Sequence, residues 1–167
     1  MVQLASNSET TIQHALYLAT ERASTELARS LAQIIKAPCV LTFSGEIGMG
    51  KTTLVRALLR AFGVIEAVKS PTFSLVEHYE LETMNAVLHH VDLYRIQDET
   101  ELEYIGFRDF FTPQAICCIE WPERAMSYIE PIDIAFSLTR EGEGRRLIMQ
   151  GQSERGCELI GQLCCRL

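Results

Sequence analysis

The sequence contains no apolar run of the roughly 18 residues that a membrane-spanning helix needs. Its polar start, Met1 to Thr11, lacks the basic segment and apolar stretch of a secretory signal. A positive charge balance is also missing. Lysine and arginine number 15 against 22 aspartates and glutamates, a formal net charge of −7. Chains that hold duplexes or tRNA unaided carry a basic footprint, so that role is disfavoured. A bound nucleotide stays possible, because a few local groups suffice for it. None of the 6 cysteines forms a C-x-x-C pair, and the 4 histidines show no metal-ligand spacing. The cysteines therefore read as small buried hydrophobes in a reducing, cytoplasmic setting. Neighbours on a strand point to opposite faces, so Cys117 and Cys118 should diverge, as should His89 and His90.

What is present suits one globular domain. Hydrophobic residues make up 47% and charged residues 22% of 167 residues, enough to bury a core without crosslinks. Residues 1–10 read as a loose tail and residues 11–167 as a single domain, with no repeats and no linker. Ile12 to Leu18 suits a strand. Thr20 can cap a helix over residues 21–36, because its hydroxyl can accept from a free first-turn amide. Leu27, Leu31, Ile34 and Ile35 share one face of that helix, which Pro38 should stop. Cys39 to Phe43 is a short buried strand. A glycine-rich turn follows, then a helix to about Phe62 with Leu54, Val55, Leu58 and Leu59 on its apolar stripe. Strands are expected at Phe73 to Glu80 and Ala86 to Asp92, joined as a hairpin through Thr83 and Asn85. Further along, the pattern predicts a helix over Glu99 to Ile105 and a buried strand over Ala115 to Ile119. It then predicts a half-buried strand over Ile132 to Leu138, a turn at Gly142 and Gly144 into Leu147 to Met149, and a helix over Glu158 to Cys165. The fold class is α/β, with a mixed, mainly parallel central sheet flanked by helices and added hairpins.

One segment carries chemistry by its spacing. Gly45-Glu46-Ile47-Gly48-Met49-Gly50-Lys51-Thr52 satisfies G-x-x-x-x-G-K-[ST] between a buried strand and an amphipathic helix, the context a phosphate-binding loop requires. Glycines let consecutive amides turn inward onto phosphate oxygens, and the helix start adds partial positive charge. Lys51 can reach the β- and γ-phosphates, the Thr52 hydroxyl is placed for Mg²⁺, and Thr53 can support the α-phosphate. Oriented amides, one lysine and a metal ion hold a polyanion without a basic surface.

Mg²⁺ takes oxygen ligands, so a carboxylate is expected at the end of a neighbouring buried strand. Asp92 and Glu120 both qualify, and Glu120 ends the more apolar strand. One can hold the metal and the other orient water; the spacing does not divide these roles. Trp121, the single tryptophan, follows at the sheet's carboxyl end, where α/β folds bind ligands. It can shield the site, contact a partner or simply pack. Lys69, Ser70 and Thr72 lie in the interval that in phosphate-loop proteins often senses the γ-phosphate. Arg95 can stabilise transferred charge, grip a partner or form a surface ion pair.

Four segments taken together, G-E-I-G-M-G-K-T-T, K-S-P-T-F, H-H-V-D-L-Y-R and I-E-W-P, resemble the bacterial TsaE family from about Thr11 to Ser137 or beyond. The resemblance implies a small Mg-dependent P-loop ATPase needed for the threonylcarbamoyl modification of adenosine 37 in tRNAs that read ANN codons. It implies that ATP is hydrolysed in association with the TsaD–TsaB pair, so that tRNA is met only through the complex. It matches Lys51 to the phosphate lysine, Thr52 to the magnesium hydroxyl and Ser70 to Phe73, with Thr72, to a switch-like segment. It matches Asp92 and Glu120 to the acidic positions near the metal and Trp121 to the adjoining tryptophan. The chain has Glu46 and Met49 where the family usually has Asp and Ala, both at unspecified positions of the loop. ATP as the nucleotide comes from the resemblance. Two other functions fit the loop: a nucleotide-gated binding module with little catalysis, and a small-molecule kinase. The kinase would need an arginine-bearing lid, and the only arginine pair near the tail is Arg145 and Arg146 in a hairpin. Nothing after about Gly142 matches a motif.

Overall fold

The computed structural model describes residues 12–68, 71, 74–129 and 131–166. The elements in chain order are β1 (Gln13–Leu18), α1 (Glu21–Ala32), β2 (Cys39–Ser44), α2 (Lys51–Ala61), β3 (Val76–Leu81), β4 (Ala86–Asp92), α3 (Glu101–Tyr104), β5 (Ala115–Glu120), β6 (Ile134–Glu141), β7 (Gly144–Gly151) and α4 (Glu154–Cys164). The seven strands form one sheet in the order β1-β7-β6-β2-β5-β4-β3. β6, β2, β5 and β4 run parallel. β7 and β3 run against their neighbours, and β1 against β7. Five of the seven strands thus share one direction, the mixed, mainly parallel α/β sheet that the alternating apolar runs imply.

β2 is buried along nearly its whole length because helices or loops cover both of its faces. Cys39, Leu41 and Phe43 point to the side covered by α1, α2 and α4, where Leu27, Leu31, Leu54, Leu58 and Ile160 close the larger core. Phe43 stacks on Phe136 of β6, with ring centroids 4.9 Å apart. Val40 points to the other side, a smaller core holding Leu93, Leu102, Phe107, Ile119 and Ile129. The strand period separates Cys118, in the first core, from Cys117, in the second. Not all cysteines are buried, however. Cys164 and Cys165, at the C-terminal end of α4, are exposed, and Cys157 is half-buried.

Local chemistry sets several boundaries that differ from the expected ones. Thr20 does cap α1, accepting from the Ala23 amide at 3.3 Å. The helix ends at Ala32, short of residue 36, and a turn still buries Ile34 and Ile35. The chain must leave the helical region before Pro38 and reverse into β2. α3 is a single turn followed by a 3₁₀ turn at Phe107–Phe110, because Gly106 adopts a left-handed conformation (φ 64°) between them. β3 starts at Val76, after Leu75 with φ 68°. β6 starts at Ile134 and runs on to Glu141, and β7 covers Gly144–Gly151. α4 starts four residues before Glu158, because the Ser153 hydroxyl accepts from the Gly156 amide at 3.0 Å. The Thr83–Asn85 hairpin forms as expected, with Asn85 left-handed at φ 49°. The expected tail of residues 1–10 lies outside the described residues. Among those described, no helix is long and apolar enough to cross a membrane.

Candidate nucleotide-binding site

The carboxyl ends of the parallel strands converge on the glycine-rich loop. β2 runs into the loop, and α2 leaves it with Gly50 at its start (φ 96°) and no side-chain cap on the first-turn amides. Those amides therefore stay free to meet an anion. Gly45 (φ 137°) passes so close to β6 that a Cβ would stand 2.4 Å from the Leu138 carbonyl oxygen, so only glycine fits. Met49 is half-buried against the larger core, while Glu46 and Ile47 are exposed.

Lys51 is folded into the loop and only 4% exposed. Its Nζ donates to the carbonyls of Gly45 at 2.6 Å and Glu46 at 3.0 Å. It also lies 4.0 Å from the centre of the Trp121 ring, within reach of the ring's quadrupole. Burial lowers the lysine pKa, and the nearby negative charges of Glu120, Asp92 and Glu123 oppose that shift. The Thr52 hydroxyl donates to Glu120 Oε2 at 2.9 Å. The other oxygen of Glu120 meets His90 Nε2 at 2.8 Å, and both side chains are almost wholly buried. A carboxylate oxygen only accepts, so Nε2 carries the hydrogen; His90 Nδ1 has no partner among the described residues.

Asp92 is the register partner of Glu120 on the adjacent strand. Its Oδ1 accepts from the Tyr94 amide at 3.0 Å. Trp121 takes a left-handed conformation (φ 58°), unusual for a bulky residue. Its amide donates to the Phe43 carbonyl at 3.1 Å, which ties the chain reversal after β5 to the base of the loop. Tyr94 packs against its ring at 5.0 Å between centroids. A cavity of about 320 Å³ results, lined by Ile47, Gly48, Gly50, Lys51, Thr52, Thr53, Asp92, Tyr94, Glu120, Trp121 and Arg145.

The sequence-derived residues Lys51, Thr52, Thr53, Asp92, Glu120 and Trp121 thus meet around one cavity, with Gly45 and Glu46 serving it through their carbonyls. Thr72, Ser70, Lys69 and Phe73 lie outside the described residues. Arg95 is exposed and does not line the cavity. Three contributors have no place at the nucleotide site on the sequence alone. His90 and Tyr94 lie in the H-H-V-D-L-Y-R segment, from which only Asp92 and Arg95 are given roles. Arg145 reads only with Arg146, as the hairpin arginine pair considered for a kinase lid.

A family model described as "Threonylcarbamoyl adenosine biosynthesis protein TsaE" matches residues 18–148, more than half of the chain. The chain belongs to the TsaE family. A TsaE of Haemophilus influenzae, named as a tRNA threonylcarbamoyladenosine biosynthesis protein, is 38% identical over 117 residues, 70% of this chain and 73% of that one. A TsaE of Aquifex aeolicus is 38% identical over 133 residues, 78% of this chain and 90% of the other. The crystal structure of Bacillus subtilis YdiB matches the fold with a TM-score of 0.80. At 22% identity it covers 95% of this chain and 99% of its own. The TsaE match spans the loop, both acidic strand ends and Trp121, and it stops just past Arg145.

Proposed function

We propose that this TsaE-family chain is a Mg-dependent ATPase serving threonylcarbamoyl modification of adenosine 37 in tRNAs that read ANN codons. It would act in the cytoplasm with TsaD and TsaB and meet tRNA only through them. The observation that carries this is the Thr52–Glu120 contact at 2.9 Å beside the phosphate loop. It sets a hydroxyl and a carboxylate oxygen side by side, the oxygen chemistry that Mg²⁺ prefers. Among the described residues no cluster of three or more His, Cys, Asp or Glu side chains could cage a metal alone. A hydroxyl and a carboxylate oxygen leave other positions of an octahedral ion to phosphate oxygens and water, and such an ion would neutralise charge on the phosphates.

In this scheme the loop amides and Lys51 bind the phosphates, and Lys51 exchanges its two carbonyl acceptors for phosphate oxygens. Glu120 is held by His90 on one side and turns its other oxygen toward Thr52 and the metal position. Asp92, at the cavity wall, accepts a hydrogen bond from the attacking water and orients it. Trp121 and Tyr94 limit the access of bulk water. The net charge of −7 fits a protein that leaves nucleic-acid contacts to its partners. The test is ATP hydrolysis by the chain alone and with TsaD and TsaB. Faster turnover with the partners supports the proposal, and equal rates in both cases count against partner activation.

A further inference from the structure

Arg145 stands on the flank of the cavity that the scheme above leaves without a task. It is the second residue of β7, just after the β6–β7 turn, paired in register with Arg140 of β6. The sheet order places β6 and β7 on one side of β2 and β5 and β4 on the other. Arg145 therefore faces the loop from the side opposite Glu120 and Asp92. Its Nε lies 3.4 Å from the point where a Cβ of Gly50 would stand, and Thr53 Cβ lies 4.0 Å from the same point. Arg145 Nε is shielded from solvent and has no hydrogen-bond partner among the described residues. The adjacent Arg146 behaves differently: it is exposed and sits 3.8 Å from Glu141.

A guanidinium prefers planar, multidentate acceptors, and phosphate is the strongest of these. Lys51, Thr52 and Glu120 fix where the terminal phosphates and metal belong, on the β5 side. A nucleotide anchored there carries its α-phosphate past Gly50 toward Thr53, onto the β7 side. We propose that Arg145 is a nucleotide-binding residue that grips the α-phosphate and so holds the nucleoside end of the ligand. This rests on the nucleotide reading of the cavity given under Proposed function. It also gives the last strand of the sheet a role in the site.

The test is equilibrium binding of Mg-ADP and Mg-ATP to the full chain, with single-turnover hydrolysis read in parallel. Arg145→Ala should weaken ADP and ATP by the same factor, ~10-fold for loss of a charge-assisted contact. Arg145→Lys should lose less, because it keeps the charge but not the fork. Arg146→Ala should bind like the wild type. Unchanged ADP affinity in both Arg145 variants would overturn the proposal, including the case in which only hydrolysis slows, since that places the residue at the γ-phosphate. Should Arg145→Ala fail to fold, Arg145→Lys decides on the same criterion. Absence of ADP and ATP binding to the wild type is a different outcome: it removes the nucleotide reading itself and this inference with it.

Discussion

Asp92 and Glu120 are register partners on adjacent parallel strands, yet their carboxylates serve different neighbours. Glu120 bridges His90 and Thr52, at 2.8 and 2.9 Å. Asp92 turns one oxygen back onto the Tyr94 amide at 3.0 Å. The proposed scheme gives the metal to Glu120, the carboxylate that touches the Thr52 hydroxyl. Asp92, on the adjacent strand, also lines the cavity, and the proposed scheme assigns it the water.

Exchange of these acids should therefore give unequal results. Glu120→Gln keeps hydrogen-bonding capacity toward His90 and Thr52 but removes the charge. Single-turnover ATP hydrolysis is expected to fall ~100-fold or more, with ADP affinity changed by less than ~3-fold. Asp92→Asn is expected to cost ~10-fold in the same step, as loss of a water-orienting group. A larger loss in Asp92→Asn would reverse the two roles.

Lys51 and Trp121 make a direct optical reporter. The lysine ammonium sits 4.0 Å from the ring centre of the chain's single tryptophan. Phosphate binding should draw Lys51 off the indole, because phosphate oxygens are stronger acceptors than the two carbonyls it now holds. Titration with Mg-ATP should produce a saturable change in tryptophan emission. Lys51→Ala should abolish that change at the same nucleotide concentrations.

Much of this site is legible in the sequence because its parts are local. A strand, a glycine-rich turn and a helix lie within a short stretch, and Gly45 to Thr52 must be near one another whatever the fold. Asp92 and Glu120 were placed by the ends of apolar runs, and parallel pairing brought them side by side. His90 was not legible as their companion, because its meeting with Glu120 depends on the register of β4 against β5. Arg145, legible only as half of a hairpin arginine pair, could not be placed at the loop for a stronger reason. Its approach depends on sheet order, with β6 and β7 added on the far side of β2. The early start of α4 was hidden by Gly156, a poor helix former that close packing demands at that position.

The cysteines should separate cleanly by reactivity. Burial pushes the thiols of Cys39 and Cys117 up to about 12, and that of Cys118 well above its ordinary range. Only the thiolate attacks an alkylating reagent. Native iodoacetamide labelling at pH 8, read by peptide mass spectrometry, should modify the exposed Cys164 and Cys165 first and the half-buried Cys157 more slowly. Cys39, Cys117 and Cys118 should react only after denaturation.

His89 should make stability depend on pH. Its Nδ1 lies 2.7 Å from His78 Nδ1, and its ring stacks on Phe110. Burial, helped by the charge of His78, depresses its pKa to about 4 from 6.5. The unfolded chain therefore takes up the proton first as pH falls. The stability contributed by neutral His89 is complete above pH 6.5 and is lost as pH drops toward 4. Thermal melts at pH 7, 6 and 5 should show a falling Tm. His89→Phe should show a shallower fall over the same range, and an identical slope would remove His89 as the source.

Two glycines of α4 should respond to alanine in opposite directions. A Cβ on Gly156 would stand 1.8 Å from the carbonyl oxygen of Asp133, whereas nothing lies within 4 Å of one on Gly161. Asp133 cannot yield freely. Its side chain accepts from the Val40 amide at 2.9 Å and from the Ser153 hydroxyl at 2.6 Å, so it joins β2 to the cap of α4. Gly156→Ala must push the helix off the sheet or break those bonds, an expected cost of about 3 kcal/mol or more. Gly161→Ala, on an exposed helical position, should gain ~0.5–1 kcal/mol from helix propensity. Urea unfolding midpoints of the two variants against wild type measure both signs. Because Val40 lies in the strand that leads into the phosphate loop, Gly156→Ala should also weaken nucleotide binding, although α4 does not line the cavity.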